Sequence, residues 1–185
     1  MNEPMQTILP GVERQLPPRP TMHDEAAITR AAEKLLPGVL RWLHQANGKE
    51  DDRPEEILDD LRDVLDGAFD LDGYSLAKEL DSRHYWSCSS GLVDELDDAF
   101  HFSLEAVDDL TRIWVKDNGV TTKYAIGDTV HFQQRDCWHQ GEVVSLYPDL
   151  GKMVVFVEAL GHVTKGNGTT GTYVDFEKAH DARPA

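Results

Sequence analysis

The chain has 185 residues, of which 40% are hydrophobic and 28% are charged, and its formal net charge at pH 7 is −16. The apolar fraction is sufficient for a packed core, whereas this excess of negative charge repels nucleic acid and anionic membranes and attracts basic protein surfaces. No segment has the pattern of a signal peptide or a membrane span, and the 2 cysteines are too few for a disulfide framework. We therefore expect a cytoplasmic protein that binds neither nucleic acid nor membranes directly.

The negative charge is concentrated in one third of the chain. Residues 50–109 contain 20 of the 34 acidic residues but only 4 of the 18 basic ones. Outside this stretch the two signs balance. Any explanation of the charge must therefore concern this acidic third.

Prolines dominate the first part of the chain, residues 1–22: Pro4, Pro10, Pro17, Pro18 and Pro20. Because proline fixes φ and removes a backbone donor, we expect an extended arm that is mobile or lies over the folded body. Residues 17–20, PPRP, match the PxxP spacing that some small β-barrels bind. This spacing is common by chance, and we interpret the segment as a tail.

Apolar residues recur at three- and four-residue steps from Asp24, which predicts a first helix. Pro37 and Gly38 fall inside this run, so we expect a break or a kink there. The helix is predicted to end at Asn47-Gly48.

A second helix is predicted after Asp52, which is placed to cap it, with Pro54 in its first turn. Its apolar positions form one stripe: Ile57, Leu58, Leu61, Val64, Leu65 and Ala68. The acids between them must face outward: Glu55, Glu56, Asp59, Asp60, Asp63 and Asp66. A short third helix is predicted from Tyr74 to Ser82, capped by Asp72.

One or two further helices are predicted up to Asn118-Gly119, which completes a helical domain over residues 23–119. We expect their apolar residues to turn inward: Leu92, Val93, Leu96, Phe100, Leu104, Val107, Leu110, Ile113 and Trp114. Three further acids lie in this region: Asp94, Asp97 and Asp98.

The helical spacing of the apolar residues ends at Gly119. Segments 120–132, 141–146, 152–158 and 171–176 are rich in Val, Thr, Tyr and Phe and are separated by turn residues. We expect four or five short antiparallel strands that form a small barrel over residues 120–180, followed by a tail at 181–185. The predicted fold class is α+β, with an N-terminal helical domain followed by this barrel.

Four segments of the barrel region resemble SH3-like and Tudor-like small barrels: GDTVHF at 127–132, WHQGEVV at 138–144, KMVVFV at 152–157 and TYVDF at 172–176. The resemblance covers about the last third of the chain. It implies an SH3-like β-barrel that binds peptides, modified side chains or nucleic acid, or that serves only for packing. It also implies that Trp138, Tyr147 and Tyr173 line a groove.

The helical part, with DGYSLAKEL at residues 72–80, is similar to small acidic proteins of phages and mobile elements. That resemblance implies a counter-defence role. It names no specific family.

Residues 166–171, GNGTTG, match the GxGxxG pattern. The dinucleotide fingerprint needs a helix after the glycines, because the helix N-terminus holds the pyrophosphate. Here a strand is predicted to follow, and the signatures of kinases are missing. We predict a flexible hairpin loop and no cofactor.

Asp70, Asp72, Gly73 and Glu79 imitate part of an EF-hand loop, but Ala68 stands at the first ligand position. Capping of a helix by Asp72 accounts for the segment more simply. We therefore predict no calcium site here.

His84 and Cys88, together with Cys137 and His139, supply a Cys2His2 set of zinc ligands. Their spacings are not those of familiar structural zinc sites, so zinc binding, like a single bridge between the two cysteines, stays open. Cys137 beside His139 also has the residue types of a nucleophile and a base, but no oxyanion hole or third group is identifiable. The chain is predicted not to be an enzyme.

Acids four residues apart on a helix lie about 5–6 Å from one another, a spacing comparable to that of phosphates along a nucleic-acid strand. Our first hypothesis is a non-enzymatic, anti-CRISPR-like inhibitor that blocks a nucleic-acid-binding partner through an acidic helical face. The alternative is an adaptor or immunity-type protein that binds through the barrel, and a metal- or thiol-dependent enzyme ranks third. If the acidic face is not an interface, the acids only keep the domain soluble. The predicted partner-binding residues are Glu55, Glu56, Asp59, Asp60, Asp63, Asp66, Asp94, Asp97, Asp98, Trp138 and Tyr173.

Overall fold

A computed structural model describes residues 16–47, 53–68, 70–161, 164–165 and 168–181. In these residues, helices precede a curled, four-stranded antiparallel sheet that forms a half-barrel. The helices are α1 (Glu25–Asn47), α2 (Pro54–Gly67), α3 (Gly73–His84), α4 (Ser90–Leu96) and α5 (Ala99–Asn118). The predicted α+β class, with a small barrel-like sheet after the helices, is confirmed. Among the described residues, no helix combines the length and the apolarity that crossing a bilayer needs.

Helix α1 runs without interruption through Pro37, so a break there is wrong, while the alternative of a kink stays a prediction. Proline inside a helix removes a backbone hydrogen bond and costs about 3 kcal/mol. The helix continues because Leu35 and Val39, on either side of the proline, are both buried. Burial of two such side chains contributes about 3–6 kcal/mol, which offsets the loss. Helix α1 reaches Asn47, and residues 48–52 lie outside the described residues, so the predicted end at Asn47-Gly48 stays a prediction.

Of the two helix caps predicted from the sequence, the structure confirms one and does not describe the other. Helix α2 has Pro54 in its first turn as expected, but the preceding residue is Arg53, which makes no side-chain cap hydrogen bond. The predicted cap, Asp52, lies outside the described residues. Helix α3 has the predicted cap, since Asp72 accepts a hydrogen bond of 3.0 Å from the backbone N–H of Ser75.

Helices α4 and α5 form where the sequence predicts them, but α5 turns a different face inward. Phe100, Leu104 and Ile113 were expected inside and are 52%, 42% and 47% exposed. The buried positions of α5 are mostly small or polar: Ala99, Ser103, Ala106, Thr111, Trp114 and Val115. Because α1 packs along α5, small side chains let the two helices approach closely.

The helical core draws on α1, α2, α3 and α4, with one residue at the start of α5: Ile28, Ala31, Ala32, Leu35, Val39, Ile57, Leu61, Val64, Leu65, Leu76, Ala77, Leu80, Leu92, Leu96 and Ala99. The apolar stripe predicted for α2 supplies four of them. The acids of α2 are thereby turned away from the core.

The strands are β1 (Thr129–Gln134), β2 (Cys137–Tyr147), β3 (Lys152–Phe156), β4 (Thr164–Lys165), β5 (Gly168–Thr169) and β6 (Thr172–Asp175). The sheet has the order β1-β2-β3-β6 with antiparallel neighbours, and a separate two-stranded hairpin pairs β4 with β5. The first strand begins at Thr129, not at Val120 as expected. Residues 120–128 form a loop in which Val120 and Tyr124 pack against the barrel core.

The barrel core is a second hydrophobic cluster: Val130, Phe132, Val143, Met153, Val155, Val157, Val174 and Phe176. Residues 16–22 of the predicted arm lie over the body, where the indole Nε1 of Trp114 donates a hydrogen bond of 3.2 Å to the carbonyl of Pro17. Residues 1–15 are outside the described residues.

Candidate protein-binding surface

The acids predicted to contact a partner lie on two separate parts of the helical bundle. One group, the α2 patch, consists of Glu55, Glu56, Asp59, Asp60, Asp63 and Asp66. The other, the α4–α5 patch, consists of Asp94 in α4 and of Asp97 and Asp98 between α4 and α5. Helices α1 and α3 each pack against both α2 and α4. The single acidic face expected from the sequence is therefore divided into two patches.

Arginines neutralise the middle of the α2 patch. Glu56 pairs with Arg53 at 3.1 Å, and Asp59 pairs with Arg62 at 3.3 Å. Arg62 also donates to the hydroxyl of Thr29 at 2.7 Å, which anchors it against α1. The ladder of bare charges expected from the sequence is therefore interrupted.

Glu55 and Asp66, at the two ends of the α2 patch, are exposed and form no ion pair with any described residue. They are three helical turns apart, so they share a face at a separation of about 16 Å. This is much wider than the few ångströms between neighbouring phosphates. The arrangement therefore favours attraction to a basic surface over a replica of a phosphate strand.

The acids of the α4–α5 patch carry uncompensated charge as well. Asp94, Asp97 and Asp98 are all exposed, and no ion pair joins them to other residues in the described part of the chain. The two patches thus contain five exposed carboxylates that form no ion pair within the described residues.

Asp60 differs from its neighbours because its side chain is only 28% exposed. Its Oδ1 lies 2.8 Å from Nδ1 of His84, and its Oδ2 accepts a hydrogen bond of 2.9 Å from the indole Nε1 of Trp86. These two bonds tie the segment that follows α3 to α2. Asp60 was predicted to contact a partner, but its carboxylate is engaged within the protein.

His84 also contacts Asp63, with Nε2 3.0 Å from Oδ2. A neutral imidazole donates from only one nitrogen, so both carboxylates receive a hydrogen bond only when the ring is protonated. The hydrogen bond from His84 is the main cause that holds the pKa of Asp63 below its usual value of 3.8, and Arg83 adds to it.

A cleft of about 690 Å³ opens between α1, α2 and the segment after α3. The rings of Trp42 and Trp86 line it, stacked with centroids 6.4 Å apart and planes 13° apart. Charged side chains complete the lining: Arg53, Glu56, Asp60, Arg83 and His84. Charges of both signs therefore face the cleft.

Tyr85 borders this cleft and is 91% exposed. It ends α3 with φ of 59°, in the left-handed region, and the N–H of the next residue, Trp86, donates to the carbonyl of Leu80 at 3.3 Å. This conformation lowers the stability of the fold by about 1 kcal/mol for a non-glycine residue. Burial of the ring does not offset this loss, because the ring is exposed. The sequence prediction missed this residue, for which the only signal is two adjacent aromatics, Tyr85 and Trp86, after the helix.

The structure places the predicted aromatic residues of the barrel at opposite ends of β2. Trp138, near its start, packs edge-on against His180 with centroids 5.5 Å apart. Tyr147, at its end, contacts Tyr173 of β6 with centroids 5.9 Å apart. Trp138 and Tyr173 therefore do not line one groove.

The four residues considered for zinc are not gathered together. His84 contacts carboxylates of α2, Cys88 is exposed after α3, and Cys137 and His139 lie in β2. Both cysteines are free. Among the described residues, no three His, Cys, Asp or Glu side chains are placed to hold a metal ion.

In the glycine-rich segment the structure bears on one part of the prediction, namely that a strand and not a helix follows the glycines. Strand β5 is followed by β6 and not by a helix, although Gly166 and Asn167 lie outside the described residues. The backbone of Gly171 lies close to β3. A Cβ at this position would be only 2.9 Å from the carbonyl oxygen of Val155. Asp72 caps α3, as described above.

Comparison of the chain with models of protein families, with curated proteins and with solved structures found no match.

Proposed function

We propose that this protein is a non-enzymatic protein-binding protein whose acidic helical part engages a basic surface on a partner. The observation that supports the proposal is that five of the predicted partner-binding acids are exposed and form no ion pair within the described residues: Glu55, Asp66, Asp94, Asp97 and Asp98. Such groups attract basic side chains and speed the encounter with them.

The distribution of charge supports a role beyond solubility. Outside residues 50–109 the charges of the chain balance. Charge that serves only solubility has no need to be confined to one part of a chain. The excess negative charge lies instead in the helical part, on acids that face away from the apolar core. An interface for a basic partner would have this arrangement.

The partner that we propose is a nucleic-acid-binding protein, because the basic groove of such a protein is complementary to two acidic patches. A phage or mobile-element inhibitor of a defence nuclease would act in this way. Since the unpaired acids of the α2 patch do not reproduce the spacing of phosphates, we propose blockage of the basic groove by charge and shape, without imitation of a strand.

Two matched triple variants test the proposal. The patch variant carries Glu55→Lys, Asp66→Lys and Asp94→Lys, and the control variant reverses three exposed acids elsewhere: Glu33, Glu142 and Glu158. Both variants have a net charge of −10 instead of −16. Only the position of the changed charges differs between them.

The two variants and the wild-type chain are immobilised and exposed to a lysate of the source organism at low and at high salt. We expect the wild-type and control chains to retain the same basic protein at low salt and to release it on addition of DNA or RNA, whereas the patch variant loses it. Equal retention by the two variants would contradict the proposal.

A second candidate is an adaptor that binds through the barrel. It is favoured by the tyrosine pair at the end of β2, since Tyr173 is 66% exposed and Tyr147 is 38% exposed. The nearby Tyr147 is the main cause that raises the pKa of Tyr173 above its usual value. This candidate predicts that Tyr173→Ala abolishes retention of the partner while the patch variant keeps it.

A further inference from the structure

Residues 16–22 run across a notch between α5 and the barrel, and Arg19 fills this notch. The Arg19 side chain is only 15% exposed. Its guanidinium carbon lies 5.0 Å from the centre of the Trp114 ring. The contacts of this one side chain join the arm to both parts of the fold.

The notch satisfies the guanidinium almost completely. Nη1 donates to the carbonyl of Leu150 at 2.8 Å, and Nη2 donates to the carbonyl of Gly151 at 3.1 Å. Nε and Nη2 each donate to one carboxylate oxygen of Glu177, both at 3.0 Å. The carboxylate of Asp175 lies 3.4 Å from Nε. Two carbonyls, two carboxylates and an indole face together match the donor fork of arginine, which an ammonium group does not.

The walls of the notch are held by contacts that do not involve Arg19. The N–H of Gly151 donates to the carbonyl of Pro148, and the N–H of Phe176 donates to the carbonyl of Gly151. Lys178 binds Asp175 at 2.8 Å. The carbonyl of Gly151 and the carboxylate of Asp175 are therefore positioned by contacts that do not need Arg19.

The backbone of the arm is recognised as well. Trp114 donates its indole N–H to the carbonyl of Pro17 at 3.2 Å, while the ring of the same residue stacks on Arg19. Prolines at positions 17, 18 and 20 pre-set an extended conformation, which reduces the entropy lost on binding. The structure thus shows how a proline-flanked arginine is bound.

We propose that this notch is a binding site for a proline-flanked arginine, which Arg19 occupies in cis and which the arginine of a partner protein's extended segment occupies when the arm is displaced. The site lies away from both acidic patches and does not depend on the function proposed for them. Its ligand is a segment with an arginine between prolines, and not a basic surface in general.

The test uses the full chain carrying Arg19→Ala and a synthetic peptide with the sequence of residues 16–22. By calorimetric titration, we expect the dissociation constant for Arg19→Ala to be at least ten-fold lower than for the wild-type chain, whose notch is occupied. A peptide with lysine in place of the arginine should bind Arg19→Ala at least ten-fold more weakly. Adding Glu177→Gln to Arg19→Ala should weaken peptide binding at least five-fold, whereas adding Glu158→Gln should leave it unchanged.

A folded Arg19→Ala chain that binds the arginine and lysine peptides equally, or no better than the wild-type chain does, would overturn the proposal. Should Arg19→Ala not fold alone, the far-ultraviolet circular dichroism of the chain refolded with the peptide decides: recovery of the helical signal supports the site, and no recovery overturns it. A wild-type dimer that Arg19→Ala abolishes would assign the notch to the arm of a second copy and overturn the proposal of a separate partner.

Discussion

Replacement of Asp60 by alanine tests whether this acid holds the fold or faces a partner. The change removes two acceptors, one 2.8 Å from His84 and one 2.9 Å from Trp86. A hydrogen bond to a charged group contributes about 1.5–3 kcal/mol, and the 28% exposure of the Asp60 side chain reduces this through solvent screening. We expect a loss of about 2–3 kcal/mol in the free energy of unfolding.

Asp59→Ala is the matched control, because it removes the same charge from the neighbouring position of α2. The Asp59 side chain is 75% exposed, and its ion pair with Arg62 is of the kind that contributes less than about 1 kcal/mol. In urea, followed by circular dichroism at 222 nm, the midpoint of Asp60→Ala should fall by about 1 M, and that of Asp59→Ala by a small fraction of this. Equal midpoints for the two variants would refute the assignment of Asp60 to the fold.

Two further predictions concern the ends of α3. Tyr85→Gly should raise the free energy of unfolding by about 1 kcal/mol, because glycine adopts positive φ without strain and the exposed ring contributes little to the fold. A melting temperature below that of the wild-type chain would argue against this. At the other end, hydrogen bonds from Ser75 hold the pKa of Asp72 below its usual value of 3.8. The stability that the charged cap contributes is therefore fully present above pH 3.8 and is lost as the pH falls through the lower pKa of the folded state. The difference in urea midpoint between the wild-type chain and Asp72→Asn should accordingly be constant above that pH and narrow below it, and a difference that widens in acid would be the wrong sign.

Local patterns in the sequence were sufficient to predict the helices and the change to strands. The stripe of α2 and the cap of α3 depend on residues within a few positions of one another, and both were predicted correctly. The inward face of α5 was not, because it depends on the close approach of α1. Ala99 and Ala106 are buried and Phe100 is exposed, because the packing of α1 against α5 decides which face of α5 is buried.

The candidate site was only partly predictable for the same kind of reason. Asp59 and Asp60 are adjacent acids that the charge pattern treats alike. One step along a helix turns a side chain by about 100°, which directs Asp60 toward Trp86 and leaves Asp59 exposed. The hydrogen bonds of the Arg19 side chain join residues more than 130 positions apart, and no local pattern encodes them.

The association rate of the captured partner, measured against salt concentration, tests the central claim most directly. Charges that steer an encounter act mainly on this rate, and salt screens them. The wild-type chain and the control variant should associate at similar rates that fall steeply with salt, while the patch variant associates at least ten-fold more slowly at low salt and with a weaker salt dependence. Equal rates for the patch and control variants at every salt concentration would contradict the claim that the two acidic patches bind the partner.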